Sequence, residues 1–67
     1  MSTEILQGRE VILEFFPVGQ FVKVTAMDVQ SLTEISIQGP KSAGQEMLKR
    51  NALMRLEYVL KKKGLIS

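Results

Sequence analysis

Ile35-Ser36-Ile37-Gln38-Gly39-Pro40-Lys41-Ser42-Ala43-Gly44-Gln45 contains the point at which the apolar spacing of this chain changes. Before Gly39-Pro40 apolar residues alternate with a period of two, and after it they recur with a period of 3.6. The stretch therefore predicts a sheet followed by a helix, with Pro40 ending the last strand because proline cannot donate to a ladder.

Upstream, residues 9–16 place Val11, Leu13 and Phe15 on one face and Glu10, Ile12, Glu14 and Phe16 on the other. Pro17-Val18-Gly19-Gln20 carries turn residues, and residues 21–28 resume the alternation with Val22, Val24 and Ala26. A hairpin closed around Val18-Gly19 is expected to set Phe16 against Phe21, Phe15 against Val22, Glu14 against Lys23 and Leu13 against Val24. A second turn at residues 28–32 leads to a third strand, 33–38, with Ile35 opposite Ala26 and Ile37 opposite Val24.

Downstream, Ser42 followed by Gln45 has the form of a capping box, and Gly64 suits a left-handed stop with Leu65 folding back on Leu60. Between them Leu48, Ala52, Leu53, Leu56, Val59 and Leu60 form one broad stripe, flanked by the i, i+4 pairs Glu46/Arg50 and Glu57/Lys61. The expectation is an α+β domain of order β-β-β-α, a three-stranded antiparallel meander followed by one long C-terminal helix. A single domain spans 1–67, with 1–8 a flexible N-terminus, 9–38 the meander and 42–63 the helix.

Apolar residues remain after both cores are assigned. The outer sheet face carries Ile12, Phe16, Phe21 and Met27, and the far side of the helix carries Met47, Met54 and Tyr58. One helix covers one face of a sheet, so these seven residues are expected to form a homodimer interface, in which subunits exchange an element where a short hinge lets it pack equally well on its twin. Size points the same way. A domain of 67 residues buries only about 60% of its unfolded surface, and with no Cys and no His neither a disulfide nor a zinc site can staple it.

The net charge of +2 divides into an acidic half and a basic one. Residues 1–40 set Arg9 and Lys23 against Glu4, Glu10, Glu14, Asp28 and Glu34, whereas the remainder sets seven cations against Glu46 and Glu57. Lys49, Arg50, Arg55, Lys61, Lys62 and Lys63 are the candidate anion contacts, read foremost as a solvated basic face. A nucleic-acid module would add aromatic platforms or a recognition helix presented by a second helix, and neither is visible.

Catalytic patterns fare no better. Glu10 and Glu14 share a strand face roughly 13 Å apart, too far for paired acid and base work, and no serine has a histidine to activate it. Gly39-Pro40-Lys41-Ser42-Ala43-Gly44 lacks the order of a phosphate-binding loop. No enzyme activity, cofactor or metal is expected. The first nine residues lack a cationic start and an apolar stretch of signal-peptide length, and no apolar run is long enough to cross a bilayer, so a cytoplasmic chain without membrane contact is expected.

Phe21-Val22-Lys23-Val24-Thr25-Ala26-Met27-Asp28, then Thr33-Glu34, then Gly39-Pro40, then Leu53-Met54-Arg55-Leu56-Glu57-Tyr58-Val59-Leu60 resemble a small family of uncharacterised bacterial proteins of about this length. The resemblance implies a compact, self-associating meander-plus-helix domain, and it transfers no catalytic or binding residues. Where that pattern tends to have glycine before Thr-Glu, this chain has Leu32. The leading functional reading is a homodimeric interaction or scaffold module whose outer faces recruit another protein. The alternatives are a nucleic-acid accessory protein using the basic helix and a small-ligand binder using the Met47, Met54 and Tyr58 strip.

Overall fold

The computed structural model describes residues 2–67; Met1, the first residue of the expected flexible N-terminus, lies outside them. Four strands follow in chain order: β1 (Ser2–Leu6), β2 (Arg9–Val18), β3 (Phe21–Asp28) and β4 (Thr33–Pro40). A single 3-10 turn (Lys41–Ala43) joins them to α1 (Gln45–Lys62). The sheet is antiparallel throughout, in the order β1-β2-β3-β4, and α1 packs across one of its faces.

The expected α+β meander with a C-terminal helix is present, with one strand more than predicted. Residues 2–6 pair with β2 over the register Ser2↔Leu13 to Leu6↔Arg9. Two residues close this hairpin, Gln7 at φ 50° and Gly8 at φ 77°. Positive φ at both central positions is the condition for a type I′ turn, whose twist matches that of the strands.

The β3–β4 register agrees with expectation, Val24 lying opposite Ile37 and Ala26 opposite Ile35. The β2–β3 register does not: Val18 faces Phe21, Phe16 faces Lys23, Phe15 faces Val24 and Leu13 faces Ala26. The loop is Gly19-Gln20, with Gly19 at φ 59°, rather than a longer one around Val18. A slip of two residues keeps every side chain on its own face, so the alternation alone does not distinguish the two pairings. Pro17 is tolerated because the nitrogen-bearing edge it presents points past the end of β1, whose pairing stops at Leu13.

Eight side chains form the fully buried core: Val11, Leu13, Val24 and Ala26 from the sheet, and Leu48, Ala52, Leu56 and Leu60 from the helix. Leu53, expected in the same stripe, packs against its margin, and Val59, expected there too, is half-buried. The helix lies closest to β4. Gly39 makes the approach possible, because a Cβ there would overlap Leu48 Cδ2.

The helix begins later than the capping box implied. Ser42 lies in the 3-10 turn and makes no capping bond, and the N-cap is Gly44 at φ 85°, ψ 152°, whose carbonyl accepts from Leu48 N at 3.2 Å. That conformation is one only glycine enters freely, so the chain turns at Gly44 and not at Ser42. The far end matches expectation. Leu65 N donates to Leu60 O at 2.9 Å and Gly64 N to Lys61 O at 3.0 Å, with Gly64 left-handed, which together make a Schellman stop.

Beneath that stop lies the one buried charge cluster of the described residues. Arg9 clasps Asp28 with two nitrogens, Nε at 3.1 Å and Nη2 at 2.9 Å, and Asp28 is fully enclosed. Ser31 donates to the same carboxylate from both its backbone nitrogen and its hydroxyl. Ser31 Oγ lies 2.8 Å from Thr33 Oγ1, which in turn accepts from Lys63 Nζ at 3.3 Å, while Arg9 Nη1 reaches Leu65 O at 3.4 Å. The cluster thus ties the start of β2, the β3–β4 turn and the last turn of α1 together. The Arg9 hydrogen bonds hold the Asp28 carboxyl below its ordinary value; burial opposes the shift and Ser31 reinforces it.

Two stability changes are expected. Leu32 is left-handed at φ 60° and 70% exposed. Leu32→Gly relieves the strain with little loss of burial, and should stabilise by about 1 kcal/mol, raising Tm by roughly 4–8 °C. Because the folded-state pKa of Asp28 is depressed, its contribution is complete above the unfolded carboxylate pKa near ~4 and is lost as pH falls through the lower folded value. Asp28→Asn should therefore cost about 2–3 kcal/mol at pH 7, and urea midpoints of the two proteins should converge as pH falls through the depressed folded-state pKa of Asp28. Parallel curves would assign the acid sensitivity elsewhere.

Candidate functional site

Side chains alternate between the two faces of a strand, so the buried Val11, Leu13, Val24 and Ala26 fix which face α1 covers and which it leaves open. The open face receives Thr3 and Ile5 from β1, Glu10 to Val18 at even positions from β2, Phe21 to Met27 at odd positions from β3, and Glu34, Ser36 and Gln38 from β4. No element of the described chain lies over it. The four sheet residues singled out from the sequence, Ile12, Phe16, Phe21 and Met27, all project from it. Ile12 and Met27 are directly opposite one another and half-buried by their neighbours, while Phe16 and Phe21 are 44% and 48% exposed.

Two further residues belong to this surface. Val18 faces Phe21 across the hairpin, and Ile5 projects from β1 at 69% exposure. Val18 escapes a reading that assigns it to the turn, and Ile5 one that leaves 1–8 unstructured. The available signal is Gln7-Gly8, a two-residue turn between Leu6 and the alternating run from Arg9.

Charges interleave with the apolar side chains. Glu10, Glu14 and Glu34 stand on this face against Lys23 alone, so it is acidic as well as apolar. The cross-strand pair expected between Glu14 and Lys23 is absent: Glu14 lies opposite Thr25, and Lys23 lies between Phe16 and Gln38.

The opposite side of the molecule is the outer face of α1. Met47, Met54 and Tyr58 are all at least half exposed there, as the periodicity implied. The guanidinium of Arg55 lies 5.5 Å and Lys62 Nζ 5.7 Å from the Tyr58 ring centre, a cation above an electron-rich face in each case.

The six candidate anion contacts divide in two. Lys49 is bound within the fold, to Glu46 at 3.1 Å and to Glu4 on β1 at 3.4 Å, and the Glu46 hydrogen bond raises its pKa. Lys63 is engaged with Thr33. Arg50, Arg55, Lys61 and Lys62 make no salt bridge among the described residues. Neither Glu46/Arg50 nor Glu57/Lys61 forms the pair expected from helical spacing, because Glu46 turns to Lys49 and Glu57 accepts from Gln7 Nε2 at 3.0 Å.

Two shallow depressions flank α1. One is bordered by Phe15, Pro17, Val22 and Lys41 beside the helix start, and the other by Leu6, Leu53, Met47 and Met54. Tyr58 borders neither of the two. Among the described residues no group of three or more His, Cys, Asp or Glu is placed to hold a metal ion, and no helix is long and apolar enough to cross a membrane.

No curated protein and no solved structure matches the chain. Residues 8–63 match one family model, a domain of unknown function (DUF6898), and the match takes in three of the four strands and the whole of α1. The chain belongs to that family, the domain of unknown function DUF6898.

Proposed function

We propose that the protein is a cytoplasmic, non-catalytic interaction module that dimerises sheet to sheet and leaves the outer face of α1 free to recruit another protein. The observation that supports this reading is the open sheet face, where Ile5, Phe16, Val18 and Phe21 are each between 44% and 69% exposed. Exposed apolar side chains are common when scattered, but here they are clustered on the sheet face opposite the one that α1 covers. The molecule measures 35 × 20 × 16 Å, so its broad side is comparable with the roughly 800 Å² that each partner buries in an interface of standard size. Apposing two such faces would make a sandwich of helix, sheet, sheet and helix, with a second apolar layer added to a core of only eight residues.

Sedimentation velocity from 1 to 100 μM tests this directly. The expected species is a dimer of twice the 7.5 kDa chain mass, and Phe16→Lys with Phe21→Lys should return it to a folded monomer. Both positions are half exposed in the single chain, so the double variant should keep its helical and sheet circular dichroism. A wild-type monomer across the whole range would falsify the reading, as would a dimer that survives both lysines.

A further inference from the structure

We infer that the free edge of β4 is a docking site for an extended acidic peptide, which adds as a fifth, antiparallel strand beneath Arg55 and Lys62. The ladder sets the backbone side of the site. Lys41 N donates to Gln20 O at 2.9 Å, and in an antiparallel pair hydrogen-bonded positions recur at every second residue, so Thr33, Ile35, Ile37 and Gly39 bond to β3. The amides and carbonyls of Glu34, Ser36 and Gln38 therefore point outward from the sheet. Nothing in the described chain covers them, and their side chains are exposed.

Edge strands are ordinarily protected by lysine, proline or a bulge. β4 has no lysine, no bulge in its pairing, and no proline before Pro40 at its last position. β1, the other edge, is five residues long against eight and carries the Glu4–Lys49 pair over its covered face.

The helix supplies the selectivity. Leu48 meets Gly39 and Lys63 meets Thr33, so α1 runs antiparallel above the whole of β4. Lys49 and Glu57 reach toward β1 and mark one flank of the helix. At 100° per residue Arg55 and Lys62 spring from the opposite flank, the β4 side. Their heads rest over the Tyr58 ring and form no salt bridge among the described residues, within a side-chain rotation of the edge. They are seven residues apart, about 10 Å along the axis, while same-face positions on a strand recur every ~6.7 Å. Acidic residues at alternate positions of an added strand thus come within side-chain reach of both cations, next to the half-buried Ile35, Ile37 and Val59.

A second copy fits this edge poorly. Two-fold pairing through Glu34, Ser36 and Gln38 centres on Ser36, and the helix position above that centre is Arg55, midway between the Gly39 and Thr33 contacts. The pairing would bring Arg55 against Arg55 of the other copy. An acidic strand places the opposite charge there, which is β-augmentation with electrostatic selection.

The probe is an acetylated and amidated heptapeptide, Thr-Glu-Thr-Glu-Thr-Glu-Thr, titrated into the full ¹⁵N-labelled chain. Saturable amide shifts are expected at Glu34, Ser36 and Gln38. Residues directly opposite share a face, so the bonding positions are the threonines: N-methylating them should abolish binding, and N-methylating the glutamates should not. Arg55→Glu and Lys62→Glu, both at exposed positions, should each weaken binding at least tenfold with Tm unchanged. The inference is overturned if those three amides do not shift, if the lysine-for-glutamate peptide binds as tightly, or if the charge variants bind normally. It is equally overturned if the same amides shift on dilution without peptide, since a second copy would then hold the edge. Because β4's edge and the open sheet face are separate surfaces, neither result bears on the dimer.

Discussion

Eight side chains fill the space between α1 and the sheet, and a single helix has no other flank with which to fill a second layer. That limit organises the molecule. Every strand has a face turned toward Leu48, Ala52, Leu56 and Leu60 and a face turned away from them, and α1 covers the first alone. The apolar residues left on the second face, the acidic residues among them, and the basic residues on the far side of the helix all follow from a two-layer architecture with strong charge segregation. A small core of this kind leaves a thin margin of stability, which makes the open surface costly to keep unless something occupies it.

The Arg9–Asp28 cluster works on a different principle. It contributes no apolar area, yet it brings together segments that the hydrophobic pattern alone would leave loosely related: the start of β2, the β3–β4 turn and the end of α1. A carboxylate this enclosed is tolerated only because two guanidinium nitrogens and two Ser31 donors saturate it. Its geometry also explains Leu32. The turn must return to β4 immediately after Ser31 has reached Asp28, and Leu32 accepts the left-handed conformation that this requires, with its nitrogen bonded to Asp28 O at 2.7 Å.

Much of this was legible in the sequence where two independent signals coincided. The β3–β4 register and the helix stop were readable because alternation agreed with the strand ends, and periodicity with Gly64. The β2–β3 register was not, since a two-residue slip leaves the alternation unchanged and only the conformation of Gly19 distinguishes the pairings. β1 was hidden by brevity: five residues with one buried-side leucine give too few periods to stand out. Ser42 misled because capping-box spacing describes residue types, while the turn at Gly44 depends on a backbone angle. Face assignment survives such errors, so Ile12, Phe16, Phe21 and Met27 emerged together although their partners were misplaced. The lateral position of Arg55 and Lys62 was out of reach, because it depends on where α1 sits across the sheet.

The strand order repeats the chain order, and α1 follows the sheet. Hairpins close in about 1–10 μs, whereas a ribosome adds roughly 5–20 residues each second. The interval between the emergence of Pro40 and that of Lys62 is therefore on the order of seconds, many thousands of times longer than the meander needs to zip. During that interval the sheet is bare on both sides, with Val11, Leu13, Val24 and Ala26 as accessible as Phe16 and Phe21. The nascent chain is thus most adhesive while α1 is still emerging, and the arrival of Leu48, Ala52, Leu56 and Leu60 decides whether the sheet closes on its own helix.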